Sequence, residues 1–191
     1  QDMKDAGVAT ISTAAESGVT GKCLILITPD AERSMNTFLG ISETLSSREV
    51  DEQAIADSEY PYIESYLVTS DSGRAAAINA RKTAQSNGTK VAISFSDPGI
   101  IAHFADGVKS IMGDKTDLVF CNEEEALSFA GVSSLDTAIE KIKHVSEQFV
   151  ITLGAKGALV YDGNTIISID GVNVKPVDTN GAGDMFAGAF L

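Results

Sequence analysis

Between Tyr62 and Gly154 two kinds of segment alternate, and this alternation restricts the fold more than any other feature of the chain. Runs that are largely apolar, Tyr62–Thr69, Val91–Ser96, 117–120 and Phe149–Gly154, read as strands. Helical patterns separate them: 73–88, closed by Gly88; 99–112, opened by Asp97-Pro98; a short helix from Glu123; and Leu135, Ala138, Ile139 and Ile142 at i, i+3, i+4 and i+7 behind Ser133-x-x-Asp136. Apolar strands joined by helices predict a parallel sheet covered on both faces. Two further runs, Gly157–Gly163 and Thr165–Ile169, read as a hairpin around Asp162-Gly163.

The first third is different. Lys22–Thr28 and Ser34–Gly40 are β-like runs on either side of Pro29-Asp30, which predicts an antiparallel hairpin. With 191 residues, 43% of them apolar, the chain can bury one sizeable core. Fourteen Lys and Arg stand against 27 Asp and Glu, for a net charge of −13, which argues against nucleic acid and anionic membranes as partners. Cys23 and Cys121 have neither CxxC nor Cys/His spacing, so no zinc site or disulfide framework is expected, and a cytoplasmic location fits best. The longest apolar runs fall far short of the ~20 residues that a membrane helix needs. Gln1 opens inside a helical pattern and Leu191 closes inside another, so both ends read as truncated.

In an open parallel sheet, ligands bind beyond the carboxyl ends of the strands. That rule selects Ser96-Asp97-Pro98, Cys121-Asn122-Glu123, Thr152-Leu153-Gly154 and the loop from Asp178 to Asp184. In the last of these, Gly181-Ala182-Gly183 lets backbone amides converge at the start of a helix, a ready site for an anion such as phosphate. Asp184 beside it is ill-suited to bind phosphate but well placed to take a proton from an attacking hydroxyl. An ordinary strand-to-helix turn with an acidic first turn is the competing reading. Asp178, read at the end of a strand, tips the balance toward a cation or substrate contact.

Asn122-x-x-Glu125 has the spacing of a capping box, and it also offers Glu125 as a group holding Mg²⁺ through waters. Thr152, Gly154 and Gly157 fit neither a Walker A loop nor the G-x-G-x-x-G fingerprint, and Lys156 reads as a solvated turn residue. Asp30 and Arg33, at the tip of the first hairpin, are candidates to close over a substrate. His103, His144 and Cys121 read as structural.

"DTNGAGDMFAGAF", preceded in order by "NEEE" and "TLGAKG", resembles the ribokinase-like (PfkB) family of carbohydrate and nucleoside kinases, and residues 29–40 look like lid strands of its adenosine-kinase-like and sugar-kinase branches. The resemblance implies an α/β fold: a doubly wound, mainly parallel sheet flanked by helices, with a small β-sheet lid. The lid would be the hairpin at 17–40, and the core 1–16 and 41–191. The implied reaction moves the γ-phosphoryl group of ATP to a hydroxymethyl group of a sugar or nucleoside, with Mg²⁺ and a monovalent cation such as K⁺. Position by position, Asp184 matches the catalytic base and a substrate contact, and Gly181, Ala182 and Gly183 match the anion hole. Asn122, Thr152, Gly154 and Gly157 match nucleotide contacts, Glu125 the Mg²⁺ element, and Asp178 and Asn180 a cation site. Pairing of lid strands would make a homodimer. A non-catalytic nucleotide- or sugar-binding regulator on the same fold is the alternative, and a flavodoxin-like or dinucleotide-binding domain is disfavoured because no glycine fingerprint follows the first parallel strand.

Overall fold

The computed structural model describes residues 2–10, 15–29 and 33–191. Its elements in chain order are α1 (Asp2–Asp5), β1 (Lys22–Ile27), β2 (Arg33–Phe38), α2 (Glu52–Asp57), β3 (Tyr62–Glu64), α3 (Asp71–Asn87), β4 (Ala92–Ser94), α4 (Pro98–His103), α5 (Ala105–Met112), β5 (Thr116–Asn122), α6 (Glu123–Ala130), α7 (Leu135–Lys143), β6 (Ser146–Thr152), β7 (Ala158–Tyr161), β8 (Ile166–Ile169) and α8 (Ala182–Phe190). Strands β3 to β8 form one six-stranded sheet in chain order. Strands β3 to β6 are parallel, and β7 and β8 are antiparallel.

Successive parallel strands with helical crossovers put all the connecting helices on one side. Ala77, Ala84, Ile101, Val108, Ile111, Ala126, Ile139 and Ile142 of α3 to α7 accordingly share one core with Ile63, Ile93, Val119, Phe149 and Ile151. The opposite face, formed by Ala92, Leu118, Phe120, Val150 and Ala158, is covered by Ala187 and Phe186 of α8. Phe149, Val150 and Ile151 in succession are completely buried, which explains why β6 carries three apolar residues in a row.

Local signals set the helix ends. The Ser70 hydroxyl accepts the Gly73 amide at 3.0 Å to start α3, and Gly88, at φ 73°, ends it. Asp97 caps α4 by accepting the Gly99 amide at 2.7 Å, with Pro98 in the first turn.

Several expectations need correcting. The run 62–69 is not one strand: β3 stops at Glu64 and residues Ser65–Thr69 form a 3₁₀ turn. The cause is Ser65, which turns inward to donate to the Ser94 carbonyl at 2.5 Å, so that the apolar Leu67 and Val68 pack against helices and not in the sheet. The helix expected over 99–112 breaks into α4 and α5 at Phe104. Helix α7 starts after Ser134, without a side-chain cap, so the Ser133 capping pattern is not used. Helix α2, capped by Asp51, went unpredicted.

The hairpin β1–β2 is a sheet of its own, with Leu24 opposite Asn36 and Lys22 opposite Phe38. Leu24, Leu26, Met35 and Phe38 are all exposed on it. Gly21 and Gly40 form its neck, where a Cβ on Gly40 would lie 2.2 Å from the Val19 carbonyl oxygen. Asp30 and the Arg33 side chain lie outside the described residues.

Candidate active site

The C-terminal ends of β3 to β6 carry Glu64, Ser94, Asn122 and Thr152 side by side, because parallel strands end at one edge. Asn122 and Thr152 are register partners, so two of the expected nucleotide contacts are neighbours. After β6 the chain makes a 3₁₀ turn, Gly154–Lys156, closed by the Leu153 amide donating to the Gly157 carbonyl at 2.8 Å. Gly157 (φ 102°) is required there by packing: a Cβ would sit 1.9 Å from the Ile169 carbonyl oxygen and 2.6 Å from the Gly171 amide nitrogen. A Cβ on Gly171 would in turn lie 2.2 Å from the Ala155 carbonyl oxygen. Lys156, expected to be merely solvated, has its ammonium 3.8 Å from Glu123, an exposed and weak contact.

Asn122 and Glu125 form a complete capping box. Glu125 is buried, and burial pushes its carboxyl up to about 7, opposed by the Asn122 backbone hydrogen bond and reinforced by the charges of Asp97, Glu64 and Glu124. A buried carboxyl with both oxygens already engaged does not suit direct metal ligation. Among the described residues no group of three or more His, Cys, Asp or Glu side chains is arranged to hold a metal ion.

The loop before α8 differs from its expected form. Residues 170–178 are not a strand, so Asp178 does not end one; its carboxylate accepts the Asn180 amide at 2.7 Å. Gly181 (φ 74°) is the N-cap of α8 and carries no capping side chain. The Ala182 amide donates to the Thr179 carbonyl at 3.2 Å, which removes it from the expected anion hole. The amides of Gly183 and Asp184, in the first helical turn, have no intrahelical acceptor. Outside its own helical turn, no atom lies within 4 Å of where a Gly183 Cβ would be, so a side chain there would have free space. Asp184 is exposed and makes no ion pair among the described residues, and its Oδ2 lies 4.0 Å from where a Gly181 Cβ would be.

Asp184 is also felt across the sheet edge. Burial pushes the Tyr62 phenol up to about 12; a hydrogen bond from Ser94 opposes the shift, and Glu64 and Asp184 add to it. Burial, then Glu64 and Asp184, raise Tyr66 as well. Helix α8, which carries Asp184, reaches Tyr62 of β3 through Phe190 and Phe120, while Thr152, Gly154 and Gly157 belong to the β6–β7 end. Sequence reasoning missed Glu64, Tyr62 and Tyr66; an acid inside the apolar run Tyr62–Thr69 was the available signal.

This edge, with its glycine-capped helix and its outward-facing acid, is that of a sugar-kinase-like α/β fold. The chain belongs to the pfkB family of carbohydrate kinases, whose model matches residues 1–191. It is 26% identical to adenosine kinase of Saccharomyces cerevisiae over 205 residues, covering 100% of this chain and 59% of the relative. It is 29% identical to an ATP-dependent ribose-1-phosphate kinase of Halopiger xanaduensis over 199 residues, covering 100% of this chain and 60% of the relative. The crystal structure of adenosine kinase from Sinorhizobium meliloti superposes with a TM-score of 0.94 at 29% identity, over 99% of this chain and 59% of the other. The chain therefore spans about three fifths of the relatives it matches.

Proposed function

We propose that the protein transfers the γ-phosphoryl group of ATP to a hydroxymethyl group of a small sugar or nucleoside, of the adenosine or ribose type. The observation that carries this reading is the start of α8: a cap without a side chain, first-turn amides at Gly183 and Asp184, and the Asp184 carboxylate exposed beside them. An acceptor hydroxyl gives its proton to Asp184 while its oxygen attacks the γ-phosphorus in line. The negative charge spread over the transferring oxygens then faces the amides and the positive end of the α8 dipole. Asn122, Thr152, Gly154 and Gly157 would hold the nucleotide. Glu125 would hold Mg²⁺ through water, and the ion would offset the negative charge of the nucleotide; Asp178 and Asn180 would hold a monovalent cation such as K⁺.

The hairpin at 17–40 would be the lid of this core, with Arg33 near the acceptor, and its exposed strands would allow a second copy of the chain to pair. No helix among the described residues is long and apolar enough to cross a membrane. The test is coupled measurement of ADP release by the full-length protein with adenosine, ribose and fructose. Acceptor-dependent ADP release is the expected result, and saturable binding without product would establish the non-catalytic alternative.

A further inference from the structure

Ser96 is the one non-glycine residue with positive φ (66°) among the described residues. It is the centre of a γ-turn in which the Asp97 amide donates to the Phe95 carbonyl at 2.7 Å. A γ-turn with a positive central φ is the rarer, strained hand, and such a conformation persists where surrounding interactions over-determine it. Here they do. The Ser96 hydroxyl donates to Glu64 Oε2 at 2.6 Å, and the Ser96 amide donates to Ser94 Oγ at 3.1 Å. Ser96 thus bridges the ends of β3 and β4, holding the Glu64 carboxylate with its hydroxyl and the Ser94 hydroxyl with its amide.

This carboxylate stands at the β3 end of the sheet edge, the half that α8 reaches through Phe190 on Phe120 and Phe120 on Tyr62, and β4 and β5 separate it from the Thr152–Gly157 turn. In a transfer reaction that half must receive the acceptor, because the phosphoryl donor occupies the other. We infer that Ser96 is a positioning residue for phosphoryl transfer: its left-handed backbone and its hydroxyl fix the Glu64 carboxylate toward the acceptor side of Asp184. A neutral polyhydroxylated acceptor suits this arrangement, since a carboxylate held in one orientation can accept from its hydroxyl groups. The inference rests on the kinase reading above. A Ser96 bridge that served only to tie β3 to β4 would affect stability and both substrates alike.

The experiment compares full-length wild type with Ser96→Gly, Glu64→Gln and the double variant. The readouts are Tm, KM for ATP, and kcat/KM for adenosine and for ribose. Glycine adopts φ 66° without strain, so Ser96→Gly is expected to keep Tm and KM for ATP. It should lower kcat/KM for the acceptor about 10-fold or more, as for one hydrogen bond to a charged group. Ser96→Gly should then add little to Glu64→Gln. An acceptor kcat/KM within about twofold of wild type, a parallel loss for ATP and acceptor, or full additivity in the double variant would each overturn the inference. If wild type binds an acceptor without phosphorylating it, the kinase reading fails; acceptor affinity, measured by calorimetry, then takes the place of kcat/KM with the same expected loss. Absence of both binding and turnover overturns both.

Discussion

Asn122 and Glu125 are joined by three hydrogen bonds: the Asn122 amide nitrogen to Glu125 Oε2 at 2.9 Å, the Asn122 side-chain nitrogen to Glu125 Oε1 at 2.9 Å, and the Glu125 amide nitrogen to Asn122 Oδ1 at 2.8 Å. The pair fixes the start of α6 at the end of β5, and it keeps a carboxyl buried among other acids.

That burial gives stability a specific pH dependence. The folded-state carboxyl of Glu125 is raised to about 7 from an ordinary 4.5, so between those values the folded chain holds a proton that the unfolded chain has released. Stability should therefore fall as pH rises through this window, by on the order of 3 kcal/mol at most. Glu125→Gln, which can keep the capping box, should flatten that part of a urea-denaturation pH profile. A profile with the same slope in both proteins would assign the dependence to other groups.

Asp184→Asn removes the proposed base and leaves the amides of the α8 start in place. Turnover of the full-length protein should drop by roughly 10²–10⁴, with nucleotide affinity retained. A near-normal kcat would take Asp184 out of the chemistry.

Two glycines should respond in opposite ways. Gly157→Ala puts a Cβ 1.9 Å from the Ile169 carbonyl oxygen, so a loss of about 2 kcal/mol or more is expected by denaturant titration. Gly183→Ala meets no atom within 4 Å outside its own helical turn, and alanine is the better helix former by about 1 kcal/mol. Its Tm should hold or rise while phosphoryl transfer falls, because the added methyl narrows the space beside the proposed phosphate position. Unchanged transfer in Gly183→Ala would move the phosphate elsewhere.

Phe120 holds α8 to the sheet through an edge-on contact with Phe190, ring centroids 5.5 Å apart, and it also touches Tyr62. Phe120→Ala should cost about 3 kcal/mol or more. Hydrogen exchange should show the loss concentrated in the α8 amides, and a uniform loss across α3 to α7 would contradict a separate attachment of this helix.

The alternation of apolar runs and helical patterns made the sheet legible, because a strand buried on both faces cannot carry polar residues in its middle, and β6 shows this most plainly. The Asn122–Glu125 box and the Gly88 terminus were readable for a similar reason: each is local chemistry at fixed spacing. What sequence hid was tertiary. Tyr66, Leu67 and Val68 look like strand residues, but the turn held by the Ser65 bond to the Ser94 carbonyl and the Thr69 bond to the Tyr66 carbonyl takes them out of the sheet, which places Glu64 at a strand end. The positive φ of Ser96 leaves no trace in residue type, since serine is not selected for it. Asp178 looked like a strand terminus and is instead the cap of its own turn.

Gly157 and Gly171 meet main chain to main chain, with no side chain between them. Such a seam has no rotamers to adjust, so any side chain added on either strand of it must be absorbed by a shift of backbone, and the turn after β6 and the segment that leads toward Asp178 share one constraint on what residue each can carry.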